Sequence, residues 1–468
     1  MKSVEELPIR SIRRVRAPLP PGPKGHPILG VMPEFNRDTL GFITRCRDYG
    51  DVVRARFLYV TAYFLYHPDD IEHVVSTNAR NFVKSMSLRS NFFHRLVGNG
   101  LLTSEGEMWK RQRRLAQPAF HRQRISAYGD VMVDYAQRMI ARWRAGEVRD
   151  IHRDMMRLTL EIVVRTLFNA DVSQDADKVG RVLSQIVKPF ASQATIKWIL
   201  DNRLPTTTHR RFHREAQEID DLVYRIIADR QATGLDQGDL LSMLLRAQDE
   251  DGSQMTDKQL RDEVMTLFLA GHETTALTLS WTWYLLAQNP AVEEKFHAEL
   301  DDVIGGRLPT MDDLPCLKYT DMIVREAMRL YPPAYGLGRE AIEECEIGGF
   351  RVPRKTQVFM FQWVTQRDPR FFPKPDAFQP ERWTEEFANG LPKYAYFPFG
   401  GGPRLCIGNT FAMMEIVLVL ATIGQKFRLS LLPTHAVSLL PAMSLRPRDG
   451  INVVVESRLF VLGSPSAG

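Results

Sequence analysis

Cys406 lies in FGGGPRLCIG, residues 399–408, behind three consecutive glycines, a proline and an arginine. A thiol in such a loop can serve as a nucleophile or as a metal ligand, and both roles use the thiolate. Gly400, Gly401 and Gly402 let the backbone approach a flat ligand closely. The apolar run from Phe411 onward predicts a buried helix beginning just after the thiol, and a helix N-terminus lowers a thiol pKa. The bland alternative is a small buried hydrophobe, the usual fate of a lone cysteine.

A second group of polar residues interrupts an apolar stretch, FLAGHETTALTLSW, residues 268–281. Gly271 costs a helix about 1 kcal/mol, and a threonine hydroxyl at 274 can bond the carbonyl four residues back. Together they predict a local bend or widening. His272 and Glu273 open a zinc-protease pattern, but position 276 is alanine, so the second ligand is missing. Glu326 and Arg329 are three apart in VREAMRLYPP and can pair on one helical face. Arg382, in the proline-flanked PERW, could join them; on the residues alone the three read as structural.

These groups need long helices to hold them. Thr256 and Gln259 form a capping box and Pro290 marks a stop, which predicts one helix of about 50 Å between them. Residues 51–66 have the β-branched and aromatic content of a hairpin, and residues 348–361 read as another strand pair. Most of the remainder has helical periodicity. The expected class is mainly α with small peripheral β-sheets (α+β). PLPPGPKGHP, residues 18–27, is stiff and extended, either a linker or a docked lead-in. Residues 1–26 are taken as a basic, proline-rich lead-in and 27–468 as a single domain.

The chain has 468 residues, enough to enclose a large ligand. Its 61 basic and 56 acidic residues leave a net charge of +5, too even a balance for nucleic acid as the main partner. The four cysteines, 46, 316, 345 and 406, show no CxxC pair and no regular spacing, which argues against a disulfide framework or structural zinc. The N-terminal MKSVEELPIRSIRRVR lacks an apolar core of signal or anchor length. A cytoplasmic protein with no stable membrane span is the expectation.

FGGGPRLCIG matches FxxGxRxCxG, the pattern of the haem-binding loop in the cytochrome P-450 superfamily, and the chain resembles that family over about 95% of its length. AGHETT resembles the oxygen-binding segment of the family's central helix, EAMR its ExxR pair, PERW the arginine partner, and Trp109 with Arg113 its WxxxR motif. One departure is Gln366 of Gln366-Arg367-Asp368-Pro369, where the family often has histidine. The resemblance implies a fold with haem b between the long central helix and the cysteine loop.

It also implies residue roles. Cys406 would be the thiolate ligand to iron, Phe399 would pack beside its loop, and Gly408 would leave room for the porphyrin. Trp109, Arg113, Arg339 and Arg404 would hold the propionates. Ala270 and Gly271 would border the oxygen site, Thr274 would hydrogen-bond the bound oxygen or its waters, and Glu273 would relay protons. Glu326, Arg329 and Arg382 would hold the fold around the haem. Phe92, Phe93, Leu96, Val97, Phe268, Ala334 and Leu337, with residues 187–205 and Met443, would line an apolar substrate pocket.

The implied reaction inserts one atom of O2 into a C–H or C=C bond. No phosphate-binding glycine motif marks a flavin or nicotinamide domain, so NAD(P)H electrons would come through a separate ferredoxin or flavodoxin with its reductase. Lys110, Arg111, Arg114, Arg122 and Arg124 would form its basic docking face on a monomeric protein. The phrase around Trp109 resembles fatty-acid hydroxylases of the family, which puts fatty acids slightly ahead of terpenoid or steroid-like substrates, with Arg89 as a carboxylate partner. The alternative is a peroxygenase using hydrogen peroxide directly, against which the Glu273–Thr274 pair speaks. A cysteine hydrolase would need a histidine, and the nearest in sequence is His435.

Overall fold

The helices that position the site are α1 (Asn91–Val97), α2 (Gly106–Ala116), α3 (Ile151–Phe168), α4 (Thr207–Thr233), α5 (Asp257–Gln288), α6 (Lys318–Leu330) and α7 (Asn409–Gly424). The computed structural model describes residues 17–121, 125–171, 207–247 and 254–458. The expected pocket segment 187–205 and the basic residues Arg122 and Arg124 lie outside them.

α5 is the predicted long helix. Thr256 Oγ1 accepts from the Gln259 amide while the Gln259 side chain accepts from the Thr256 amide, closing the capping box. At 32 residues it is about 48 Å long. From Leu260 to Leu286 it is buried on nearly every side, the mark of a helix enclosed by other elements. Trp281 and Trp283 are fully buried in the main core, which α3 and α7 complete. The helix is continuous through Gly271, and the Thr274 hydroxyl donates to the Ala270 carbonyl at 2.8 Å, the bond four residues back that the sequence suggested.

The strands are peripheral, as expected. β1 (Val52–Phe57) and β2 (Val60–Leu65) form the predicted hairpin. With β3 (Phe82–Lys84), β5 (Leu337–Ala341) and β8 (Gln357–Met360) they make a sheet of order β1-β2-β8-β5-β3, in which only β2 and β8 run parallel. Residues 348–361 do not pair with themselves. β7 (Phe350–Val352) pairs with β6 (Cys345–Ile347), while β8 enters the larger sheet. The cause is local: Pro353 ends β7, and Lys355, at φ 67°, turns the chain so that its amide reaches Ala341 O. β4 (Val148–Asp150), β12 (Asn452–Ser457) and β9 (Phe427–Leu431) form a third sheet, and β10 (Leu439–Pro441) pairs with β11 (Leu445–Pro447).

The proline-rich lead-in is docked. Arg54 N donates to Pro21 O and Arg351 N to Pro18 O, at 2.7 and 2.8 Å.

Candidate functional site

The cysteine loop is built by close backbone approach. Gly402 has φ 61°, and a Cβ there would lie 1.8 Å from Val75 O, so only glycine fits. The Cys406 amide donates to Phe399 O at 3.0 Å, and Phe399 packs against the main core. Gly408 caps α7, with Phe120 the nearest neighbour its missing side chain would meet. Cys406 and Leu405 are accessible although the surrounding protein encloses the thiol. The expected lowering of the thiol pKa is not found. Burial by surrounding protein pushes it up, and the Gly408 amide and the Arg113 charge only partly oppose this. Coordination to a metal would deprotonate the thiol outright.

Arg113 ties α2 to this loop, its Nη1 donating to Leu405 O at 2.8 Å. Arg404 reaches the same region from the other side. Its Nη1 donates to Ser104 O at 2.9 Å, its Nη2 pairs with Glu105, and its guanidinium stacks 4.0 Å over the Trp109 ring. Arg339, on β5, is 7% exposed, and burial and then the Arg404 charge push its pKa down to about 10. Lys84, at the end of β3, was missed from the sequence. It is buried, its amide donates to Glu105 at 2.6 Å, and burial with the Arg339 and Arg404 charges drives its pKa well below the usual lysine range.

The guanidinium groups of Arg339 and Arg404 and the amine of Lys84 thus surround the one carboxylate of Glu105. Unbalanced buried charge of one sign calls for a ligand of the other. A group with two carboxylates meets that demand, and haem b carries two propionates. The central helix supplies a second fit. Ala270 and Thr274, one turn apart on one face, are exposed within an otherwise buried helix, with Gly271 half-buried between them. The residues present therefore fit a flat, dianionic, metal-bearing cofactor.

Glu273 points elsewhere. It is 3% exposed, and its Oε1 accepts from the Ser444 hydroxyl and from Arg446 Nε at 2.8 Å, with Arg446 Nη2 at 2.6 Å. Burial raises its pKa, but the Arg446 charge and these hydrogen bonds outweigh burial and hold it below the usual range. His272 is fully buried, its Nδ1 2.9 Å from Phe268 O. Neither Ser444 nor Arg446 was expected from the sequence.

Glu326, Arg329 and Arg382 do come together. Glu326 and Arg329 are fully buried and joined by two 2.8 Å contacts, and Arg382 Nε donates to Glu326 at 2.9 Å. Gln366 makes the local bonds that its departure from the usual histidine put in question. Its Nε2 donates to Met328 O at 3.0 Å and its Oε1 accepts from the Phe397 amide at 3.1 Å, joining the end of α6 to the approach of the cysteine loop.

An apolar cavity of about 330 Å³ opens beside β5 and β8, lined by Phe93, Tyr335, Phe359, Phe361, Ala442 and Met443 among others. Leu96, Val97 and Phe268 are buried in the main core, Ala334 and Leu337 are half-buried, and Phe92 lies in α1. Arg89 is already engaged, with its Nη2 2.6 Å from Glu340. Among the described residues, no helix is long and apolar enough to cross a membrane.

The family model described as Cytochrome P-450 matches residues 20–454. The chain is 38% identical to cyclooctatin synthase of Streptomyces melanosporofaciens, over 90% of this chain and 92% of the relative. It is 36% identical to cyclooctat-9-en-7-ol 5-monooxygenase of the same organism, over 88% and 89%. It is 33% identical to pentalenene oxygenase of Streptomyces avermitilis, over 88% and 91%. Among solved structures, retinoic acid bound cyanobacterial CYP120A1 superposes with a TM-score of 0.85 at 27% identity, covering 94% of this chain and all of the other. The cysteine loop, the surplus of buried cations and the open face of α5 thus have their explanation in one relationship: the chain belongs to the cytochrome P-450 family, as a haem-dependent monooxygenase.

Proposed function

We propose that the substrate of this monooxygenase is a cyclic, largely hydrocarbon molecule of terpenoid type, and that its electrons arrive from a separate acidic redox protein. The observation that carries the substrate reading is the apolar cavity beside an arginine that is already paired. Arg89 was the expected partner of a fatty-acid carboxylate, but Glu340 occupies it. The cavity lining offers chiefly aromatic and aliphatic surface, which favours a ligand without charge. Relatives named for cyclooctat-9-en-7-ol and pentalenene, both cyclic alkenes by name, point the same way. The order expected from the sequence, fatty acids first, is therefore reversed in this proposal.

When bound, haem supplies the reductive activation of O2, with two electrons and two protons carrying the second oxygen atom to water. The protein's part is positional. Cys406 would hold the iron through its sulfur. Lys84, Arg339 and Arg404, with Trp109 and Arg113, would hold the propionates. Thr274, on the open face of α5, donates its hydroxyl proton to Ala270 O, so its oxygen is directed to accept a hydrogen bond from a water and would hold that water in place. Glu273, one residue earlier, would resupply protons from the buried side. The Glu326, Arg329 and Arg382 cluster would keep the cysteine loop in register. Phe93 and Met443 would hold substrate away from water.

The donor would dock where Trp109, Lys110, Arg113, Arg114 and His121 line a surface groove. Lys110 is partly neutralised there by Glu107 at 2.6 Å. A spectral titration of the ferric protein tests the substrate reading. Cyclic C15 and C20 alkenes and alkenols are expected to shift the spin state at lower concentration than lauric acid. A tighter response to lauric acid, lost in Arg89→Ala, would overturn it.

A further inference from the structure

The hairpin formed by β10 and β11 has two faces with different neighbours. At its turn, Ala442 and Met443 line the apolar cavity, and Tyr335 Oη donates to Ala442 O at 2.9 Å. The very next residue, Ser444, is buried and donates its hydroxyl to Glu273. Strand alternation then carries Arg446 to the same side, where it contacts the same carboxylate oxygen. Leu445, between them, is pinned to the core. Its amide donates to Pro333 O at 2.9 Å and its carbonyl accepts from Trp281 Nε1 at 3.0 Å. A side chain that fills the cavity and a side chain that holds the central-helix acid are thus neighbours on one short, anchored turn.

We propose that Ser444 and Arg446 are positioning residues for the Glu273 carboxylate, and that the 442–444 turn makes their hold on it depend on what fills the apolar cavity. This rests on the proton-relay role given above to Glu273. The hairpin would then make proton supply responsive to occupancy, so that a poorly fitting molecule wastes electrons as peroxide. The other ionisable groups facing Glu273 are His272 on its own helix and His152 on α3. His152 Nδ1 lies 3.2 Å from Ser280 Oγ and the ring feels both Glu273 and Arg446, while burial keeps both histidines below their usual pKa.

A double-variant cycle on the haem-loaded protein tests this without a known substrate. Met443→Trp fills the cavity from the turn itself, and Ala442→Phe does so independently. Each is crossed with Arg446→Met and with Arg446→Lys. Two quantities are read: amide hydrogen exchange across residues 268–276, and peroxide released per NAD(P)H consumed as a function of pH. Met443→Trp alone is expected to change exchange in 268–276 by at least about threefold, and Arg446→Met to abolish that response, a non-additive cycle. Arg446→Lys, which keeps a cation, should restore most of it, and Ser444→Ala should weaken it. Arg446→Met should also move the pH profile of peroxide release, and Arg446→Lys should not. Additive effects in both cavity-filling series would overturn the coupling. A Glu273→Gln variant with wild-type peroxide release and pH profile would instead remove the relay role, while the exchange cycle would still judge the clamp.

Discussion

Glu326 and Glu273 are both buried and both meet arginines, and they are built differently. Glu326 is saturated. Its Oε1 accepts from Arg329 Nη2, Arg382 Nε and the Gln379 amide, and its Oε2 from Arg329 Nε and Trp383 Nε1. Arg329 in turn donates to the carbonyls of Gln366, Pro375 and Ala377, and lies 5.2 Å from the Phe372 ring centroid. The cluster gathers the stretch from Gln366 to Trp383 onto α6. Glu273 is held by one oxygen only, from one hairpin, next to the open face of α5. The saturated carboxylate ties several parts of the chain together, and the one-sided one is the group proposed for the proton relay.

The comparison breaks most visibly at Arg329. Arg329→Met leaves a buried carboxylate short of two donors, and removal of one partner from such a pair costs about 3–5 kcal/mol. Urea unfolding should show that loss, with haem content falling alongside it. A variant as stable as wild type would mean that the cluster is not a framework.

Neutralising the other pair should separate stability from function. Glu273→Gln combined with Arg446→Met removes both charges, so stability should stay within about 2 kcal/mol of wild type. Peroxide released per NAD(P)H should nevertheless rise on the order of tenfold, because the proton supply is lost. Stability loss as large as that of Arg329→Met would erase the distinction between the two clusters.

These contrasts were only partly legible beforehand. The Cys406 loop, the α5 cap and the Glu326–Arg329 pair are local patterns, carried by neighbours within a few residues. Arg382 could be named only as a possible third member, since nothing in PERW specifies a partner 56 residues away. Ser444 and Arg446 are 171 and 173 residues from Glu273, and Arg404 is 299 from Glu105. No periodicity or capping signal encodes such pairs. Arg89 shows the converse. Its charge was visible, but its engagement by Glu340 depends on how β5 is placed beside β3. The misread strand pair has a local cause, the Pro353–Lys355 turn, which separates β7 from β8 and leaves β8 between β2 and β5.

Glu263 extends the comparison to a buried glutamate on α5 supported by neutral donors: Leu101 N donates to it at 3.1 Å, and the Gln112 side chain also hydrogen-bonds it. Burial pushes its pKa up to about 8 from 4.5. A carboxyl raised in the folded state binds more protons there than in the unfolded chain, so its contribution is full below about pH 4.5 and is lost as pH rises toward 8. The urea midpoint should fall between pH 5 and 8.5, and Glu263→Gln should flatten that fall. An unchanged slope in the variant would assign it to other groups.

The smallest expected effect is at the surface. Lys110→Glu adds repulsion at the proposed docking groove without touching either cluster, so reduction by an acidic ferredoxin should slow severalfold at low salt and little at high salt. A salt-independent change would place the docking face elsewhere.

The central claim is that the exposed Cys406 thiol holds haem iron. The carbon monoxide difference spectrum of the reduced protein tests it most directly. The account predicts a strongly red-shifted Soret band in the wild type and its loss in Cys406→His with the fold retained. A Cys406→His protein that keeps the red-shifted band would contradict it.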